Sequence, residues 1–203
     1  MLGGAFAFTS EWSPDKGSGA LRHLRSALAV CAIFSSCPQP GAASIIDEIR
    51  GGVLLQGAGL ISPDKEEGAG INAEILFRPL AALSAIGAPR PHLGFSAATD
   101  GDATSQIYGG LTWELSLTAK FFADAGLGLA VHHGETDFDP MDPNIGSTQF
   151  LGCRALFRLS GDLGYRLTER LSVSLHADHI SNAGLCSENE GLDNTGLRLG
   201  YRF

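Results

Sequence analysis

The chain has 203 residues, a formal net charge of −8, 18% charged residues and 27 glycines. That length suits one domain of ordinary size, and the acidic balance argues against a general nucleic-acid binder, which carries a basic patch. No apolar run reaches the roughly 18–20 residues that a membrane-spanning helix needs, whereas a membrane β-barrel, in which apolar and polar residues alternate and cancel, shows this near-neutral hydropathy.

The first distinctive segment is Arg22, His23 and Arg25, followed by the apolar run Ser26 to Phe34 and the small-residue site Gly41-Ala42-Ala43. Basic, then apolar, then small is the layout of a secretory signal peptide. It predicts cleavage after Ala43 and divides the chain into 1–43, an N-terminal extension with signal peptide, and 44–203, a barrel. Met1 to Ala20 fits no export signal. Cys153 and Cys186 would remain after cleavage, in an oxidising compartment where a disulfide can persist.

From residue 48 onward the pattern has a period of two, the mark of strands with unlike faces. In Arg154 to Leu167, the odd positions Ala155, Phe157, Leu159, Leu163, Tyr165 and Leu167 are apolar or aromatic. The even ones include Arg154, Arg158, Asp162 and Arg166. The same split predicts eight strands near 48–59, 70–78, 91–99, 105–118, 121–132, 154–167, 171–182 and 193–203. Eight is a small, even count, as membrane barrels prefer. Short connections at 119–120 and 168–170 alternate with long ones at 60–69, 133–152 and 183–192, with 78–90 as a long exception on the short-turn side.

Alternation alone does not say which face is inside; a soluble ligand-binding barrel would turn its apolar face inward. Three features favour apolar outward. The charged face carries Gly52, Gly110, Gly126, Gly128, Gly164, Gly196 and Gly200, suiting a crowded interior. It carries both charge signs, so interior pairing can offset the cost of burial. The ending Leu199-Gly200-Tyr201-Arg202-Phe203 resembles the assembly signal of bacterial outer-membrane proteins. The fold expected is therefore an all-β, eight-stranded antiparallel transmembrane barrel in a bacterial outer membrane.

The chemistry-bearing residues gather in His179 to Asp193, HISNAGLCSENEGLD. His179 and Ser181 are two apart on one strand and share its outward face. Asp193 opens the next strand on the same face. Polar groups turned toward hydrocarbon need a reason. One is a rim where the strands leave the membrane, in a structural or adhesive barrel without catalysis. The other is a charge relay, in which His takes the Ser proton and the acid orients the His. His176 and Asp178, on the opposite face, are expected in an interior polar network.

The segment resembles the PagL-type lipid A 3-O-deacylase motif: His-x-Ser-Asn-Ala, then Asn-x-Gly, then an acid. The resemblance implies Ser181 as nucleophile, His179 as general base and Asp193 as the acid, where the family usually has Glu. Asp is one methylene shorter, which calls for a backbone adjustment. The resemblance also implies an oxyanion hole from Asn189 and the backbone amide of Gly184, no cofactor, and lipid A in lipopolysaccharide as substrate. Apolar side chains below the trio, such as Leu175, Ala177, Leu197 and Leu199, would lie along an acyl chain.

Cys153 and Cys186 both fall at the outer rim by the strand count, either paired, tying the catalytic loop to its neighbour, or free as two inert small side chains. Asp137, Asp139 and Asp142 lack the regular pattern of a calcium loop, and no metal site is expected. The GxG clusters at 57–59 and 126–128 are read as lying within strands, with no dinucleotide-binding role. Dimerisation is left open.

Overall fold

The computed structural model describes residues 45–203 apart from 60, 63, 64, 102 and 142. The expected signal peptide and its cleavage site lie outside the described residues. Eight strands follow in order: β1 Ile46–Gln56, β2 Gly68–Phe77, β3 Arg90–Ala98, β4 Gln106–Ser116, β5 Phe121–His132, β6 Ala155–Arg166, β7 Leu171–Ser181 and β8 Leu192–Arg202. Each pairs antiparallel with its chain neighbours, and β1 pairs with β8 to close the barrel. Closure leaves no open edge, the condition for a sheet to sit in lipid.

The apolar positions point outward. Val53, Leu93, Ile107, Leu115, Leu127, Leu159, Leu163, Leu175 and Leu197 are all exposed, and form a belt around the wall. The charged positions point inward and pair. Arg50 meets Asp124 at 2.7 Å and Arg198 meets Glu74 at 3.3 Å. Arg90 reaches Glu48 at 2.6 Å, and the Arg158 guanidinium stacks 3.7 Å from the centre of the Tyr108 ring. Buried charges of this kind cost several kcal/mol each unless matched, so the two signs in the sequence are the condition for filling the lumen with them. Glycine makes room beside them. A Cβ on Gly164 would lie within the Phe122 ring, and one on Gly52 would overlap the backbone of Leu197 and Arg198.

At the end bearing the long loops the lumen changes character. Tyr108, Ala130, Leu151, Leu156, Ile180 and Leu192 form a small buried apolar cluster there.

Two details differ from the periodicity. The first strand ends at Gln56, not at residue 59, because Gly57 takes a left-handed φ of 70° and donates its N–H to the Asp193 carbonyl at 2.9 Å. Gly57 and Gly59 therefore start a loop and do not lie within a strand, whereas Gly126 and Gly128 do lie in β5. The connection between β2 and β3 holds a short 3-10 helix, Ala81–Ile86, stopped at Gly87 with φ 90°. Trp113 Nε1 donates to the Ile86 carbonyl at 2.7 Å and pins it to β4.

Candidate functional site

The hairpin of β7 and β8 sets the site. Its register places His179 directly opposite Asp193. Direct cross-strand neighbours have Cβ atoms roughly 4.5–5.5 Å apart, which brings even a short carboxylate within reach of the imidazole. His179 Nδ1 lies 2.6 Å from Asp193 Oδ1, and His179 Nε2 lies 3.0 Å from Ser181 Oγ. A carboxylate only accepts, so Nδ1 carries the proton and donates to Asp193. Nε2 is then the acceptor for the Ser181 hydroxyl. At that register the shorter Asp side chain reaches the imidazole.

The three side chains share the outward face, but not equally. His179 and Ser181 are part-exposed, whereas Asp193 is only 3% exposed. What covers it is the loop between β1 and β2. The Ile61 and Ser62 amides donate to Asp193 Oδ2 at 2.8 and 3.0 Å, and Ser62 Oγ donates to Oδ1 at 3.1 Å. Ser62 Oγ also sits 3.3 Å from His179 Nδ1. The approach is close enough to require glycine at two points. A Cβ on Gly59 would overlap the Asp193 carboxylate. One on Gly191, with φ 69°, would come 2.8 Å from Ser62 Oγ and 2.9 Å from His179 Cε1. No motif points to Ile61 or Ser62; they lie more than 130 residues before Asp193.

A groove of about 690 Å³ opens beside His179 and Asp193 on the outer wall, with Ile61, Leu159, Gly161 and Ala177 among its lining residues. Gly161 and Ala177 are directly paired, and their small side chains let the wall dip between larger neighbours.

After Ser181 the chain turns sharply, with Ala183 at φ 56° and Gly184 at φ 79°. Asn182 points inward and organises this turn. Its Nδ2 donates to the Leu151 carbonyl at 2.9 Å, and its Oδ1 accepts from the Gly184 amide at 2.9 Å. The Gly184 N–H, expected as an oxyanion donor, thus already has an acceptor and would have to give it up. Asn189 Oδ1 accepts from the Asn182 amide at 2.9 Å, which assigns the oxygen end of the side chain and leaves its NH2 to donate elsewhere. Cys153 and Cys186 are joined as a disulfide with Cα atoms 6.1 Å apart, tying this loop to the segment before β6.

His176 faces the lumen, as its spacing from His179 requires. It lies between Asp162 and Asp178, 3.1 Å from each. Among the described residues no group of three or more His, Cys, Asp or Glu side chains is arranged to hold a metal ion.

The sequence model of the family "Lipid A 3-O-deacylase (PagL)" matches residues 89–202. Among solved structures, the crystal structure of the outer membrane enzyme PagL is similar at 20% identity and TM-score 0.56, covering 77% of this chain and 99% of that one. The crystal structure of Neisserial surface protein A is similar at 11% identity and TM-score 0.52, covering 80% of this chain and 100% of that one. At these identities the structural likeness is one of fold, and no curated protein matches the chain. The matched segment runs from the start of β3 to the end of β8 and takes in His179, Ser181 and Asp193. With more than half of the sequence matched, the chain belongs to the lipid A 3-O-deacylase (PagL) family.

Proposed function

We propose that the chain is an outer-membrane carboxyl-ester hydrolase that removes an ester-linked acyl chain from lipid A, with Ser181 as nucleophile. The observation that carries this reading is the His179 ring, held on Asp193 through Nδ1 and on Ser181 through Nε2, on the lipid-facing side of the wall. Family membership and the apolar exterior support the substrate and the membrane.

In the proposed reaction Ser181 Oγ attacks the ester carbonyl while its proton passes to His179 Nε2. Asp193 stabilises the imidazolium that forms. The tetrahedral intermediate collapses as His179 returns that proton to the leaving sugar oxygen, which leaves an acyl-serine. Water, deprotonated by the same nitrogen, then releases the fatty acid and restores Ser181. The oxyanion of the intermediate needs donors. The Asn189 NH2 is one candidate, and the Gly184 amide contributes only if its bond to Asn182 Oδ1 opens. The substrate's ester lies just under its sugar headgroup, at the depth of the rim. Its acyl chain could follow the groove past Ala177 and Gly161 without entering the lumen.

The test is mass spectrometry of lipid A incubated with purified protein in detergent micelles. The wild-type chain is expected to release one fatty acid per lipid A. Ser181→Ala is expected to lose at least about a thousandfold in kcat, as loss of a triad nucleophile does elsewhere, with the barrel still folded. Full activity in Ser181→Ala would remove it from the mechanism.

A further inference from the structure

The β1–β2 loop does more at this site than cover it. A carboxylate on the outward face of a barrel, next to lipid, is costly unless donors surround it. The β7–β8 hairpin supplies Asp193 with one donor, His179 Nδ1. The other three come from Ile61 and Ser62, on a loop between strands at the far side of the β1–β8 seam. Together they fix both carboxylate oxygens. Oδ2 is taken by two backbone amides, so Oδ1 is turned to the imidazole.

The same loop is fastened at its other end. Glu66 is 5% exposed. Its Oε2 accepts from the Thr104 amide at 2.9 Å, and its Oε1 from the Gln149 amide at 3.0 Å. The Gln149 side chain then donates to the Gly191 carbonyl, and Lys65 pairs with Glu190. The loop is thus a strap, anchored on the β3–β4, β5–β6 and β7–β8 loops and pressed onto the acid. Its residues precede the segment 89–202 that matches the family.

Resting on the hydrolase reading above, we propose that Ser62 is a positioning residue for catalysis. It holds the Asp193 carboxylate, and through it the His179 ring, in the geometry that accepts the Ser181 proton. Glu66 anchors the strap that carries it. Ser62 does not line the groove, so its loss falls on kcat and not on KM; loss of Glu66 also releases Ile61, which lines the groove, and is read on kcat alone.

The test is a double-mutant cycle on micellar lipid A, with folding followed by heat-modifiable gel migration. Ser62→Ala is expected to lower kcat about ten- to a hundredfold, in line with one hydrogen bond to a charged group, with KM unchanged. Glu66→Ala is expected to lower it at least as far, because the two backbone donors withdraw with the strap. In an Asp193→Ala background, Ser62→Ala is expected to change kcat by less than about twofold, since nothing remains to be positioned. Wild-type kcat in either single variant overturns the proposal. So does a Ser62→Ala effect confined to KM or undiminished without Asp193. These outcomes are separable from failure of the hydrolase reading, which retained activity in Ser181→Ala would signal.

Discussion

Strand β7 carries two histidines three residues apart, and they form a natural comparison. Inside, His176 has Asp162 on one ring nitrogen and Asp178 on the other. Ser174 donates to Asp162 at 2.8 Å, and Arg158 and Arg198 close the group. Outside, His179 has Asp193 on one nitrogen and Ser181 on the other. Both sites hold a Ser, a His and a carboxylate. In the inner one each ring nitrogen faces a carboxylate and the serine bonds to the acid, not to the imidazole, so no nitrogen is free to take a hydroxyl proton. The inner group is also sealed, with His176 0% exposed. Residue types are the same; connectivity and access decide which site can do chemistry.

Matched substitutions sharpen this contrast. Asp193→Asn should have the largest effect, about a thousandfold or more in kcat, since an amide there favours the wrong His tautomer. Its inner counterpart, Asp162→Asn, should leave turnover per folded molecule within about twofold. It should lower barrel stability by about 1.5–3 kcal/mol, because Arg198 loses its closer carboxylate and keeps Glu74. Denaturant titration beside the lipid A assay separates the two. A large fall in turnover from the inner variant would break the comparison.

Asn189→Ala probes the outer site's next requirement. It should cost about a hundredfold in kcat with little change in KM, the usual scale for one oxyanion donor. A change smaller than threefold in steady-state kinetics would take the role away from Asn189.

Much of this was legible in the sequence. Period-two alternation marked all eight strands, because each wall residue faces either lipid or lumen and nothing between. The same parity put His179, Ser181 and Asp193 on the outward face and His176 on the inward one. Their approach followed from one hairpin, whose register is local.

The strap was not legible. Ser62 reaches Asp193 across the seam where the last strand meets the first, and such closure contacts leave no periodic trace. The end of β1 was overextended for a related reason. Gly57 and Gly59 read as interior strand glycines of the kind found at Gly126 and Gly128, but their smallness serves a turn and the approach to Asp193. The bond made by the Gly184 amide was hidden for a third reason: its acceptor, Asn182 Oδ1, is a side-chain contact within a turn whose shape the motif does not encode.

The claim on which the account rests is that His179 and Asp193 activate Ser181 alone among the serines of β7. An alkyl fluorophosphonate, which adds covalently to an activated serine, tests it directly when the labelled peptide is mapped by mass spectrometry. The account predicts one adduct, on Ser181, that disappears in His179→Ala and persists in His176→Ala. An adduct on Ser174, or labelling of Ser181 that survives loss of His179, would contradict it.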